Sequence, residues 1–255
     1  MIVDTHAHLQ VAAFAGDVAA VLERARAAGV ERTVVVGIDP ESSLAAAELT
    51  RQHAGLVATA GVHPCSAAAH GPGDLQRIEE LIDSGDYVAV GETGLDWHHR
   101  GTSDRAEQLD AFHFHLDLAR RRDLPVVIHC RKSFEDLAQV LGHHRGVRGV
   151  VHSFAEGPAQ AEQVAAAGLH VAFGGLLTSP RNRKIRAAAE LVPAELLLVE
   201  TDSPFLVPDG VDEARNEPRH ARRVLEVLAE LRGEDVNVLA ERTTANARHL
   251  FGSHL

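Results

Sequence analysis

The segments IVDTHAH (residues 2–8) and LLLVETD (residues 196–202) decide the fold when they are read together. Each is a short aliphatic or β-branched run that ends in side chains able to hold a cation: His6 and His8 in the first, Glu200 and Asp202 in the second. Side chains alternate along a strand with period two, so His6 and His8 face one side, and Glu200 and Asp202 likewise share a side. Three more runs end the same way, with Glu92 after Tyr87 to Gly91, His129 after Val126 to Ile128 and His152 after Gly149 to Val151. In an open doubly wound sheet the ends of the first and last strands do not close around a common point. In a closed eight-stranded barrel they are neighbours, and all C-terminal strand ends ring one mouth. The pattern therefore predicts an α/β fold, a TIM-like (β/α)8 barrel.

The rest of the chain agrees. Further runs at Thr33 to Gly37, Leu56 to Gly61 and Leu169 to Phe173 complete eight strands, and stretches with helical spacing such as Val18, Val21, Leu22 and Ala25 lie between them. Helices are expected around Arg219 to Leu231 and Val238 to Phe251, and loops at Pro180 to Lys184 and Val207 to Asn216. No linker interrupts the 255 residues, so residues 1–255 read as a single domain. A net charge of −11 excludes a protein that grips nucleic acid mainly through a basic surface. Two cysteines, Cys65 and Cys130, are too few for a disulfide framework and suit a reducing compartment. No apolar run is long enough to span a bilayer, and IVDTHAH leaves no room for a leader, so a cytoplasmic location without membrane contact is expected.

A second H-x-H, at His113 and His115, serves as a control. It lies in a stretch of helical spacing, where i and i+2 point to different faces, and reads as structural or exposed. His143 and His144 read as solvent-exposed loop residues, while His98 and His99 follow the fourth strand. Imidazoles and carboxylates together suit zinc, manganese or magnesium, and a carboxylate that bridges allows two ions to sit close together. Glu92 is the natural bridge, and such a pair is hydrolytic machinery: the barrel is of the metal-dependent hydrolase type.

The motifs VDTHAHL, GVHP, VGETGLD, LPVVIHCR, VHSF, LLLVETDSPFL, RNEP and NARHLFG run nearly end to end, and together they resemble the TatD-type metal-dependent deoxyribonucleases. The resemblance implies His6, His8, Glu92 and Asp202 as ligands of one divalent ion and Glu92, His129 and His152 as ligands of another, with Glu200 matching a further site residue. It also implies an exonuclease acting on DNA, often from the 3′ end of single strands, with magnesium or manganese; some relatives resemble deacylases. The chain departs from the family pattern at Lys132-Ser133, at FAEG (residues 154–157) and at LDWHHR (residues 95–100), all in mouth loops.

Arg131, two residues beyond His129, is placed to grip a phosphate. Asp4 is expected to orient an imidazole, and His63 to touch substrate. Asp96 and Glu217 read as loop anchors. Asp202 and Glu92 are the expected catalytic carboxylates, Asp202 as acceptor of the proton from the attacking water. Cations at the mouth are few, with Arg100, Arg181, Arg183 and Lys184 beside Arg131, so DNA should be held mainly by the ions and no obligate protein partner is expected. An amide or ester hydrolase on the same barrel is the alternative, disfavoured because neither Lys132 nor Lys184 stands where a bridging modified lysine would. A metal-stabilised interaction protein without turnover is the third reading.

Overall fold

The computed structural model describes residues 1–99, 103–252 and 255. The described strands are β1 (Ile2–Ala7), β2 (Val30–Val36), β3 (Leu56–Ala60), β4 (Tyr87–Asp96), β5 (Val126–Arg131), β6 (Gly149–Val151), β7 (His170–Phe173) and β8 (Leu197–Val199). They form one parallel sheet in sequential order. Between and after them run α1 (Val18–Ala27), α2 (Pro40–Gln52), α3 (Pro72–Asp83), α4 (Arg105–Arg122), α5 (Phe134–His143), α6 (Pro158–Ala166), α7 (Arg183–Leu191), α8 (Ala221–Arg232) and α9 (Val236–Phe251). No helix among the described residues is long and apolar enough to cross a membrane.

Every strand contributes to an interior cluster, from Val3 on β1 through Val127 on β5 to Leu198 on β8, and Ala247, Leu250 and Phe251 of α9 close it at one end. Neighbouring strand residues such as Val35, Val90, Ile128 and Val151 instead pack outward in the larger core beneath the helices. Burial on both faces explains why the strands are near-continuous apolar runs. The seam between β8 and β1 is closed just past the end of β8, where the amide of Asp202 donates to the His6 carbonyl (2.9 Å) and that of His8 to the Ser203 carbonyl (2.8 Å). Barrel closure and the mouth thus share the same residues.

Plain alternation carries His129 inward from Val127 and His152 inward from Val150. It does not do so for His6, His8 or Glu92. Register irregularities between Asp4 and Ala7 and between Val90 and Thr93 each set three residues of one strand against two of its neighbour. A bulge of this kind re-aims the side chains beyond it. Ala7 therefore packs outward with Val35, and Thr93 pairs with outward-packed Ile128, leaving His6, His8 and Glu92 facing the mouth. Gly91 lies inside the second bulge, with φ +129° and a Cβ that would lie 2.5 Å from the Val127 carbonyl oxygen; just beyond it Gly94 has φ +135° and a Cβ that would lie 2.1 Å from the His129 carbonyl oxygen, so β4 approaches β5 this closely because both are glycines.

The same irregularity corrects the expectation for Asp4, which no longer shares a face with His6. Asp4 reaches no imidazole; it accepts from the backbone amides of His6 (3.3 Å) and Thr201 (2.9 Å) and from the Thr201 hydroxyl (2.7 Å), tying β1 to the segment after β8. Two other expectations change. His144 is buried against His113, its Nε2 2.8 Å from His113 Nδ1, whereas His143 is exposed. Arg183 and Lys184 begin α7 rather than sitting in a loop, and Lys184 pairs with Glu156 at 3.1 Å. Arg100 lies outside the described residues.

Candidate functional site

Glu92 is the centre of the site. Its Oε2 lies 3.3 Å from His6 Nε2 and 3.7 Å from His8 Nε2, while its Oε1 lies 2.8 Å from His152 Nε2 and 3.0 Å from His129 Nδ1. Asp202 closes the first group, with Oδ1 3.4 Å from His8 and 3.7 Å from His6. It does not arrive by strand alternation: β8 ends at Val199, and Asp202 turns in with φ +60°. The rings of His6 and His152 stack at 3.9 Å between the two groups. The six donor side chains cited for two ions in the sequence thus surround one space.

The outer partner of each ring decides which nitrogen offers a lone pair. His8 Nδ1 faces the Val36 carbonyl (2.9 Å), which can only accept, so its proton is there and Nε2 is bare toward the site. His129 Nε2 faces Asp96 Oδ2 (3.1 Å), leaving Nδ1 bare. His63 is reversed. Its Nδ1 accepts from the Cys65 amide (3.1 Å), so Nε2 carries the proton and points at Glu92 Oε1 and His129 Nδ1, both at 3.4 Å. His63 is a donor into the site and not a lone-pair ligand. It sits in the turn after β3, not on the strand.

Close approach of lone pairs tests the fit of the donor set to cations. His6 Nε2 and His8 Nε2 lie 3.2 Å apart, and His129 Nδ1 and His152 Nε2 lie 3.3 Å apart. With His8 Nε2 and His129 Nδ1 bare, each pair needs a proton or a cation between its nitrogens, and imidazole with carboxylate is a suitable set for divalent ions. Titration points the same way. Burial pushes Glu92 up, yet the positive charge that His152, His63 and His6 carry when protonated holds its carboxyl well below the usual range. Burial pushes His152 down, yet the charges of Glu92 and Glu200 lift it well above an ordinary imidazole. The carboxylates demand positive charge here.

Residues 3–252 match the model of the family described as TatD related DNase. The chain belongs to that family. The family's similar proteins include the uncharacterized metal-dependent hydrolase YabD of Bacillus subtilis (strain 168), 36% identical over 98% of this chain and 99% of that one. The 3′-5′ ssDNA/RNA exonuclease TatD of Erwinia amylovora is also 36% identical, over 98% of this chain and 99% of its own. In structure, the TatD homologue YJJV of Escherichia coli K12 superposes with a TM-score of 0.93 at 33% identity, covering 98% and 97% of the two chains. The eight-stranded barrel of this family is the one expected from residues 2–8 and 196–202.

Within that barrel, Glu200 is set apart from the Glu92 centre. Its Oε1 accepts from the Ser153 amide at 2.6 Å and lies 3.5 Å from His152 Nδ1. Asp96 does more than anchor a loop: it accepts from the amides of His98 and His99 and from two imidazoles, those of His99 (2.8 Å) and His129. Glu217 is an anchor, paired with Arg24 and Arg215 at 2.8 Å and with Arg219 at 3.2 Å. Arg131 ends β5 exposed, with no carboxylate paired to it among the described residues. His115 is structural, as its helix implied: its Nε2 accepts from the Val62 amide (3.1 Å), steadying the turn that carries His63. Sequence reading missed the carbonyl of Val36 and the role of Asp96 toward His129, because neither partner is near its histidine in the chain.

Proposed function

We propose that the protein is a divalent-metal-dependent deoxyribonuclease that removes nucleotides from the 3′ end of single-stranded DNA. The observation that carries this reading is the division of Glu92 between two groups of imidazole nitrogens, one oxygen to each. His6, His8, Glu92 and Asp202 would hold one ion, and Glu92, His129 and His152 the other, as magnesium, manganese or zinc. Two divalent ions so held supply the positive charge that makes water nucleophilic near neutral pH and offsets charge on the oxygens of an in-line phosphoryl displacement.

The chain's own groups do the rest. Asp202 Oδ1 faces His8 and His6, while Oδ2 has no protein partner among the described residues and is free to take the proton of the attacking water. Its side chain is 15% exposed against 3% for Glu92 and 0% for Glu200, so it is the carboxylate that meets solvent. The proton on His63 Nε2 is offered to a phosphoryl oxygen, and the unpaired guanidinium of Arg131 grips the phosphate. With a net charge of −11, strand binding rests on these few groups and the ions. The free thiols Cys65 and Cys130 fit a cytoplasmic location, and no obligate protein partner is required.

The test is metal-stripped protein supplied with each divalent ion and with single strands labelled at either end, beside a panel of small esters and amides. Metal-dependent loss of nucleotides from the 3′ end is expected. Full activity after exhaustive chelation, or turnover of an amide or ester with no strand cleavage, overturns the reading.

A further inference from the structure

We infer that Phe205 is a stacking platform for the terminal nucleobase beside the scissile phosphate, and that the adjoining groove, headed by Arg181, takes the next nucleotide of the strand. The inference rests on the nuclease reading above and adds the binding subsite. Among the described Phe, Tyr and Trp side chains Phe205 is the one with large exposure, 55%, and its ring lies 6.0 Å from that of His8 at the mouth. An apolar ring left in water beside a polar centre has lost the burial that usually places it.

The backbone beneath the ring is firmly held. The Phe205 amide donates to the Asp202 carbonyl (2.9 Å), and Asn216 Nδ2 donates to the carbonyls of Thr201 (2.8 Å), Phe205 (2.7 Å) and Leu206 (3.2 Å). One amide side chain thus fixes the path from Asp202 to Phe205. A ring pre-set in this way needs little ordering when a base arrives, and any base has a face to stack.

The groove beside it has a volume of about 450 Å³ and is walled by Leu176, Pro180, Arg181, Leu206 and Val207. It lies on the Glu200 side of the centre: Gly175 lines it, and a Cβ on the preceding Gly174 would lie 3.4 Å from Cγ of Glu200, the carboxylate that faces His152 Nδ1. Ser179, Asn182 and Asp209 line it as well, so the groove is mixed in character, and the exposed guanidinium of Arg181 is paired with no carboxylate among the described residues. Apolar walls from Leu176, Leu206 and Val207 beside an unpaired cation suit a base followed by its phosphate. A strand leaving the Glu92 centre past Phe205 enters it.

The experiment measures binding to an uncleavable phosphorothioate oligothymidylate, and kcat and KM on its cleavable counterpart, each with the 3′-terminal base present or removed. Phe205→Leu should weaken binding and raise KM by roughly 5- to 150-fold, the span of base–aromatic stacking, with Phe205→Tyr restoring both. Removing the base should cost the wild type a similar factor and cost Phe205→Leu almost nothing further. Arg181→Gln should make the log–log salt slope of binding shallower by about 0.7, one phosphate contact on a single strand. Equal losses for Phe205→Leu on strands with and without the base, or no loss at all, overturn the subsite while leaving the nuclease reading intact. A wild type that neither binds nor cleaves either strand in any divalent ion overturns both.

Discussion

Asp96 Oδ2 accepts from His129 Nε2 at 3.1 Å, and this bond turns the other nitrogen of the ring, bare, toward Glu92. The carboxylate is in turn held by the amides of His98 and His99, at 2.7 and 2.9 Å. Asp96→Asn keeps the shape but presents a neutral group that can offer an N–H to the ring as readily as an oxygen. Divalent-ion affinity should fall by about 10- to 100-fold, the usual cost of losing a carboxylate behind a ligating histidine. Isothermal titration with manganese checks it; unchanged affinity removes Asp96 from the support of His129.

Substitutions at the two mouth carboxylates should separate chemistry from metal holding. Asp202→Asn should lower kcat by about 10²- to 10⁴-fold, the range of general-base contributions, with the fold intact. Glu92→Ala should lose both ions along with the rate, because each of its oxygens faces a different group. Elemental analysis of the purified variants decides it, and two ions retained by Glu92→Ala would sink the bridge.

Acid should loosen the turn behind His63. His115 is fully buried, its Nδ1 donating to the Ala111 carbonyl (2.6 Å) while Nε2 accepts from Val62, and burial pushes its pKa down to about 4. The unfolded chain takes up this proton near 6.5, the folded one only near 4. The stabilisation is therefore complete above pH 6.5 and is lost as pH falls toward 4, about 3 kcal/mol in all. In urea unfolding of metal-free protein, the gap between wild type and His115→Gln should narrow over that window. A gap independent of pH would show that His115 does not titrate in this way.

Gly94→Ala should be costly for two reasons at once, a left-handed φ and a Cβ 2.1 Å from the His129 carbonyl. Gly168→Ala isolates the first, since φ there is +76° with nothing within 4 Å. The control should lose about 1 kcal/mol and Gly94→Ala clearly more, together with its bound metal. Equal urea midpoints for the two variants would mean that β4 and β5 are not in the contact described.

The eight strands were legible because each is an aliphatic or β-branched run of the kind a doubly covered strand requires. Their ends were not. GETGLD extends β4 by five residues beyond Gly91 although Gly, Glu and Asp are poor strand formers, because pairing with Ile128 to Arg131 overrides propensity. The donor side chains were identified by chemistry and position, but the reason they face one another was not: the irregularity in β1 follows no residue pattern, the one in β4 is marked only by its glycines, and Asp202 arrives through a left-handed turn. His63 was expected at the end of the third strand, but it sits in the turn beyond it, and only its contact with the Cys65 amide reveals it as a donor. His144 seemed an ordinary surface histidine until α4 was laid beside it.

The seam between β1 and the segment after β8 carries a consequence for the making of the protein. His6 and His8 are synthesised nearly two hundred residues before Asp202 and Ser203, which bond to that strand. A nascent chain halted before Asp202 holds five of the six donor side chains yet lacks the hydrogen bonds that bring β1 into the ring. A chain cut before Asp202 therefore lacks the closed seam and the sixth donor side chain together, so the site is completed by a single late segment.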